Sequence, residues 1–366
     1  MKHTFSIIKN FIILTGKIKF FKIYSIQNNS GECLYIMLKI GVVGAGNFGR
    51  WHIKNLQNLP NAELVGFFDN NPERASYISN EFQVRAYPAL EQLLDDCEAV
   101  SIVVPTHSHY SVAKAAIERG RHLLCEKPFM ETVAEAEEII RLARAKNLVL
   151  QVGHVERFNP ALGALKQYQI DPLFIESHRI APFRGRGTDV AVVLELMIHD
   201  IDLVLDLVTA PIVQVEASGA PVLTDNIDIA NARLCFANGC VANVTASRVS
   251  NKQMRKLRIF QRDAYFSIDM LAGSTEIYSL SRDAGPVPDD TTQIMEVPDV
   301  NGAPRRIFYR VQQTEQGNAL YNELESFVNA ILTGQPPRVS GEDGIRALKV
   351  AIQIINSIQD NFRKIN

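Results

Sequence analysis

Between residues 38 and 152, short apolar runs alternate with amphipathic stretches of helical period. Lys39-Ile40-Gly41-Val42-Val43 predicts a buried strand, and Glu63-Leu64-Val65-Gly66-Phe67-Phe68-Asp69 a second. Ala99 to Val104, His122 to Cys125 and Asn147 to Val152 follow in the same style, the last after a helix-like stretch from Val133 to Lys146. Strands separated by helical patterns imply βαβ units and a parallel sheet. Right-handed crossovers then place helices on both faces. After about residue 155 the rhythm changes. Strand-like runs now succeed one another: Phe174 to Ala181, Val213 to Ala217, Ala230 to Phe236, Val241 to Val249, Lys256 to Phe260 and Tyr265 to Met270. Asn238-Gly239 between two of them is a hairpin signal, since both turn positions must tolerate positive φ. Arg262-Asp263 marks another tight turn. The pattern predicts a largely antiparallel sheet, one face of which is free to pack on helices or on a second subunit. Helical stretches Ala319 to Leu332 and Gly344 to Phe362, parted by Thr333-Gly334-Gln335-Pro336-Pro337, close the chain.

This divides the chain into an extension over 1–36, an α/β domain over 37–155 and an α+β domain over 156–366 whose sheet is open and mostly antiparallel. The extension mixes Lys with Ile and Phe, and we expect it to be poorly ordered. A secretory leader is an alternative reading, but Lys9 interrupts the apolar stretch and no small-residue cleavage site follows. The working domain is expected to begin near Met37. With 366 residues the chain can bury two sizeable cores. A formal charge of -2 provides no global basic field to recruit nucleic acid or a membrane surface. No run of roughly 18 uncharged apolar residues suggests a membrane span. Cys33, Cys97, Cys125, Cys235 and Cys240 form no CxxC pair, which points to reduced, packed thiols and a cytoplasmic location.

Gly44-Ala45-Gly46-Asn47-Phe48-Gly49 is a GxGxxG motif that follows a strand pattern and opens a helix pattern. Gly44 permits the tight turn, Gly46 lets the backbone approach a pyrophosphate, and Gly49 lets helix and strand pack closely. Asn47 and Phe48 complete the loop against the phosphates, which a helix N-terminus favours. Asp69 stands 20 residues beyond Gly49 at a strand end, where an acid hydrogen-bonds the ribose hydroxyls and repels a 2′-phosphate. This favours NAD over NADP, although Arg74 lies close by. The competing reading is a plain strand–helix turn and a solvated acid. Pro105-Thr106-His107-Ser108-His109 follows another strand, and Pro105, Thr106 and His109 are assigned to the nicotinamide side. Two histidines without a nearby Cys or acid are weak grounds for a metal, and none is assigned.

Two further stretches, Cys125-Glu126-Lys127-Pro128 and Glu195 to Asp202, join the glycine motif. Over residues 37–366 the chain resembles the Gfo/Idh/MocA family of glucose–fructose oxidoreductases, inositol dehydrogenases and nucleotide-sugar dehydrogenases. The resemblance implies an N-terminal Rossmann domain, a C-terminal domain with an open, mostly antiparallel sheet, and homo-oligomers often packed through that sheet. The family's Glu-Lys-Pro motif falls on Glu126, Lys127 and Pro128, which assigns Glu126 to the cofactor side and Lys127 to the substrate hydroxyl. A cation there favours a developing alkoxide. The family's catalytic histidine falls on His199, a group able to accept a proton at cellular pH. Glu195, four residues earlier on the same helical face, stands where the family usually has Asp, as orienter or substrate contact. Asp202 shares that face, either toward substrate or holding the ring. Asp200 points elsewhere.

The resemblance implies oxidation of a sugar secondary alcohol, with hydride passing to NAD, the proton to His199 and the oxyanion held by Lys127. Gln151 to Pro160 opens the second domain with Arg157-Phe158, a pair that relatives carry in the substrate cleft. Arg184 and Arg186, in Pro182-Phe183-Arg184-Gly185-Arg186-Gly187-Thr188-Asp189, suit a diphosphate because guanidinium forks match phosphate oxygens. A solvated basic loop is the bland reading. The segments GHVERFNP, SHRIAPFRGRGTD and LMIHDID most resemble family members that oxidise C3 of UDP-N-acetylglucosamine, whose 3-keto product an aminotransferase converts to a 3-amino sugar for lipid A. Two other readings stand beside this one. The first is an inositol or free-sugar dehydrogenase. The second is a non-catalytic NAD-binding regulator, against which the joint presence of Lys127 and His199 argues.

Overall fold

The computed structural model describes residues 5–14, 17–27, 33–35, 37–183, 190–281, 292–298, 304–314 and 317–365. The chain forms two compact units, Met1–Gly153 with Leu320–Gly344, and His154–Ala319 with Ile345–Asn366. The return of 320–344 to the first unit was not foreseen from the sequence.

Strands β1 (Phe5–Leu14), β2 (Lys17–Gln27) and β3 (Cys33–Tyr35) form a three-stranded antiparallel sheet with Phe11 opposite Phe20. These segments are rich in the β-branched and aromatic residues that strands favour.

The first unit is built on a parallel sheet of β4 (Leu38–Val43), β5 (Ala62–Phe68), β6 (Ala99–Ile102), β7 (His122–Glu126) and β8 (Leu150–Gly153), in the order β5-β4-β6-β7-β8. Helices α1 (Gly49–Leu56), α2 (Pro72–Phe82), α3 (Leu90–Asp96), α4 (His109–Glu118) and α5 (Val133–Ala145) occupy the crossovers. Because helices can cover both faces, β6 and β8 are buried throughout and read as near-continuous apolar runs. Helix starts are written in the sequence. Asn71 caps α2 by accepting the Arg74 amide at 3.0 Å ahead of Pro72. Thr132 and Glu135 form a capping box on α5. Strand order reverses beside β4, and that switch point is where ligands bind in open parallel sheets.

The second unit is a nine-stranded sheet of β9 (Pro172–Ile180), β10 (Ile212–Ala220), β11 (Ile229–Phe236), β12 (Val241–Ser247), β13 (Met254–Gln261), β14 (Ala264–Asp269), β15 (Ser274–Ser281), β16 (Thr292–Pro298) and β17 (Pro304–Gln313). Its order is β10-β11-β12-β9-β13-β14-β15-β17-β16, with β12 and β9 the parallel pair and every other pairing antiparallel. β15 to β17 extend the sheet beyond the last strand read from the sequence. Gly239 (φ 87°) and Asp263 (φ 61°) make the two turns expected between strands.

Alternation decides the faces: Leu234, Val244, Ile259, Phe266 and Ile277 point to the core. There they pack with helix α6 (Ile198–Leu207), through Ile201 and Val204, and with Val350, Ala351 and Ile354 of the last helix. The final helices are α7 (Ala319–Thr333) and α8 (Gly341–Ile365). The segment returning to the first unit lies along β8, where Gln151 donates to the Glu323 carbonyl at 3.1 Å and the Val152 amide to the Val339 carbonyl at 3.1 Å.

Charge is buried inside the second unit in closed sets. Asp200 on α6 accepts from Ser177 Oγ at 2.7 Å and from Arg179 Nε at 2.5 Å, both on β9. Arg179 Nη1 also reaches Glu156 at 2.7 Å, and Arg255 meets the same carboxylate at 3.0 Å. Burial would push the Glu156 carboxyl up, but the two guanidinium groups hold it below its usual range. Removing one partner of such a buried set strands the other. Asp200→Ala should therefore cost about 3–5 kcal/mol of stability; urea unfolding followed by circular dichroism measures this, and a loss below about 1 kcal/mol would show that the pair is solvated.

Candidate active site

All five strands of the parallel sheet run the same way, so the loops after β4, β5, β6 and β7 emerge at one edge. These loops carry Gly44 to Gly49, Asp69, Pro105-Thr106 and Lys127-Pro128. Gly44 has φ 93°, and a Cβ there would lie 2.6 Å from the Val103 carbonyl oxygen. A Cβ on Gly49 would lie 2.0 Å from the Gly44 carbonyl oxygen. Gly46 differs, since a Cβ there meets nothing within 4 Å. The first and third glycines serve the protein's own turn, and the second faces open space that a pyrophosphate can occupy. Asn47 and Phe48 are exposed, with the Phe48 ring edge-on to His52 at 5.1 Å.

Asp69 accepts the Ala45 amide at 2.7 Å through Oδ2 and the Asn71 amide at 2.9 Å through Oδ1. The carboxylate thus braces the glycine loop, and each oxygen retains a further acceptor position for ribose hydroxyls. These features fit a dinucleotide with its pyrophosphate at Gly46 and its adenosine ribose at Asp69.

Pro105 is exposed and Thr106 half-buried at the carboxyl end of β6. Lys127 is half-buried just beyond β7, and its backbone amide donates to Glu126 Oε2 at 3.2 Å. Two residues expected on the cofactor side, His109 and Glu126, are buried. His109 is 1% exposed, with Nε2 2.9 Å from the Val104 carbonyl and Nδ1 at 3.0 and 3.2 Å from the Pro128 and Phe129 carbonyls. Burial pushes its pKa down and so favours the neutral ring. It stands between the loop after β6 and the turn after β7. Glu126 is also buried, with Oε1 3.3 Å from His52 Nε2. For His109 both ring nitrogens face backbone carbonyls, and for Glu126 only Oε2 is hydrogen-bonded, to the Lys127 amide.

In the second unit, His199 is half-buried in the first turn of α6. A π-helical turn, Val193–Met197, precedes it and carries Glu195. Such turns are rare and concentrate at functional sites. Glu195 Oε2 accepts from Arg248 Nη1 at 3.1 Å, and Arg248 Nε donates to Asp228 at 2.7 Å. Burial would raise the Asp228 carboxyl, but the amides of Val222, Leu223 and Thr224 and the Arg248 guanidinium hold it well below the usual range. Arg248 escaped the sequence reading because its partners Asp228 and Glu195 lie 20 and 53 positions away.

Arg157 and Asp202, expected as substrate contacts, are buried against each other. They form a two-pronged pair at 2.7 and 2.6 Å, each side chain at most 2% exposed, and Asp206 takes a third Arg157 bond at 3.0 Å. His154 Nε2 lies 3.9 Å from Asp202. Arg184 and Arg186 lie outside the described residues. Among the described residues, no group of three His, Cys, Asp or Glu side chains is placed to hold a metal ion.

The glycine loop, the acid after β5 and the lysine after β7, on a parallel sheet joined to an antiparallel-sheet unit, define an NAD-binding dehydrogenase. The chain belongs to the Gfo/Idh/MocA oxidoreductase family: the pattern of its NAD-binding Rossmann fold matches residues 38–154, and that of its C-terminal domain matches residues 162–267. The chain is 39% identical over 320 residues to the UDP-N-acetylglucosamine 3-dehydrogenase of Acidithiobacillus ferrooxidans, covering 87% of this chain and 96% of the relative. A solved structure of that name from the same organism superposes with a TM-score of 0.79 at 36% identity, covering 89% of this chain and 99% of the other. Myo-inositol 2-dehydrogenase of Thermotoga maritima is 23% identical, covering 88% of this chain and 97% of the relative.

The glycines should separate by experiment. Gly46→Ala should leave the melting temperature near that of the parent while weakening NAD binding roughly tenfold or more, whereas Gly49→Ala should destabilise the unit by about 1–3 kcal/mol. Calorimetric titration with NAD and thermal melts of both variants check this.

Proposed function

We propose that this dehydrogenase oxidises the C3 hydroxyl of UDP-N-acetylglucosamine to a ketone. The observation that carries the reading is the 39% identity across nearly the whole of a UDP-N-acetylglucosamine 3-dehydrogenase. NAD, when bound, supplies the hydride acceptor, with Gly44, Gly46 and Gly49 admitting its pyrophosphate and Asp69 its ribose. His199 accepts the hydroxyl proton, for which imidazole has a suitable pKa range. The Lys127 ammonium stabilises the oxyanion as hydride leaves carbon. Glu195, held by Arg248, orients the substrate or the His199 ring. Arg184 and Arg186 are proposed to clamp the diphosphate.

The product, a 3-keto nucleotide sugar, suits an aminotransferase that would yield a 3-amino sugar on a route to lipid A. We place these steps in the cytoplasm. No helix among the described residues is long and apolar enough to cross a membrane. We also propose a homo-oligomer packed through the outer sheet face of the second unit. Phe174, Phe260, Tyr265, Tyr278 and Tyr309 form a row of rings across five strands of that face, with neighbouring centroids 5.7, 4.5, 5.4 and 4.8 Å apart. Contiguous aromatic surface of this kind is a usual interface core.

NADH appearance with UDP-N-acetylglucosamine, myo-inositol and glucose, with hydroxylamine to trap ketone, tests the reaction. We expect turnover with the UDP-sugar, reduced on the order of 10²–10⁴-fold by Lys127→Ala and by His199→Ala. The pair Arg184→Ala and Arg186→Ala should raise KM for the UDP-sugar. Turnover with a free polyol alone would overturn the nucleotide-sugar reading, and silence with all three despite NAD binding would favour a regulator. Tyr278→Glu should lower the oligomeric mass seen by light scattering, since a buried unpaired carboxylate is costly; an unchanged mass would place any interface elsewhere.

A further inference from the structure

His52 is fully buried, and nothing in the proposed reaction uses it. It lies on α1, the helix that begins at the last glycine of the loop. Its Nδ1 is 2.8 Å from Ser101 Oγ on β6, and its Nε2 is 3.3 Å from Glu126 Oε1 at the end of β7. Ser101 is fully buried, and Glu126 is 6% exposed. The ring is thus bonded to β6 through Ser101 and stands within ion-pair distance of the Glu126 carboxylate on β7, although Nε2 and Oε1 do not meet in hydrogen-bond geometry.

With Glu126 taken as the carboxylate, one arrangement of protons makes both ring contacts attractive. An ionised carboxylate only accepts hydrogen bonds. Glu126 already takes the Lys127 amide through Oε2. An attractive contact at Oε1 then requires the proton on His52 Nε2. Nδ1 is left as an acceptor for the Ser101 hydroxyl. The fold also makes room for the carboxylate. Gly153 lies opposite Glu126 on β8, and a Cβ there would be 2.6 Å from Glu126 Oε1. A strand that needed only a core would fill this place with apolar side chains, because buried ion pairs seldom add stability over such a filling. What a carboxylate adds here is a fixed grip on the Lys127 peptide unit. The orientation of that unit sets where the Lys127 ammonium points.

We propose that His52 is a positioning residue for Lys127, acting through the Glu126 carboxylate and anchored by Ser101. This rests on the reading of Lys127 as the group that holds the oxyanion. His52 touches neither substrate nor cofactor in this role. It keeps the Glu-Lys-Pro turn in one geometry relative to the helix that starts at the glycine loop. Small misplacement of a catalytic group is costly, about 10²-fold for displacements near 1 Å.

The test compares His52→Phe, which keeps the ring's shape without its nitrogens, with His52→Gln, which can restore an N–H toward Glu126. Both are assayed with NAD and UDP-N-acetylglucosamine beside Lys127→Ala. His52→Phe should lower kcat on the order of 10–100-fold with the Kd for NAD within about threefold of the parent, and His52→Gln should recover most of the loss. In a Lys127→Ala background, His52→Phe should cost little more, because the two act as one unit. Retained kcat in His52→Phe, or a full independent loss in the double variant, overturns the proposal. Nitrogen NMR of His52 in the parent protein with NAD bound needs no variant to fold. The Nε2–H tautomer is expected, and the Nδ1–H tautomer overturns the network. If Lys127→Ala itself keeps full kcat, the reading of Lys127 fails, and the tautomer still judges the contacts around His52.

Discussion

Parallel strands joined by right-handed crossovers must all end at the same edge, and the first unit depends on that constraint. Four loops separated widely in sequence are brought to one rim because β4, β5, β6 and β7 run together. The glycine loop is admitted by two positions that no side chain could share, Gly44 against Val103 and Gly49 against Gly44. Asp69 then ties the loop to the next strand end through the Ala45 amide. Lys127 arrives at the same rim on a turn gripped from below by Glu126. The cofactor side of the chemistry is a consequence of strand direction.

The second unit solves a different problem. Its helix α6 carries a histidine and three acids within ten residues, on an element that must also pack a core. Asp200 is neutralised by Arg179 and Ser177, and Asp202 by Arg157. With those acids committed to guanidinium partners, His199 stands half-buried on the segment, where the proposed reaction needs a proton acceptor. Glu195 is set on a π-helical turn and held by Arg248. The irregular turn and the arginine together determine where a carboxylate one methylene longer than the family's usual Asp can reach.

Local pattern made much of this readable in advance. Strand runs, the GxGxxG spacing, the acid 20 residues on, the Asn-Gly hairpin and the Glu-Lys-Pro and helix motifs are short-range signals, and each carries its chemistry in adjacent residues. They yielded the two fold types and the proposal of Lys127 and His199 as reacting groups. The same signals could not separate a residue that faces a ligand from one that faces the protein. Arg157, Asp202, His109 and Glu126 have the right residue types for a site, yet their polar atoms stand against other parts of the protein, 5 positions away for His109 and Val104, 45 for Arg157 and Asp202, and 74 for Glu126 and His52.

Sequence alone therefore determined the alternating and the successive-strand halves of the chain and the glycine turn, because those follow from periodicity and from the conformational needs of single residues. Tertiary structure decided which charges are paired. It placed Arg248 beside Glu195 across 53 residues and His52 beside Ser101 across 49, and it returned residues 320–344 to the first unit. The physical reason is that buried charge and buried imidazole are tolerated only with a partner in contact. Contact between distant residues is set by strand pairing and packing, which leave no local mark in the chain.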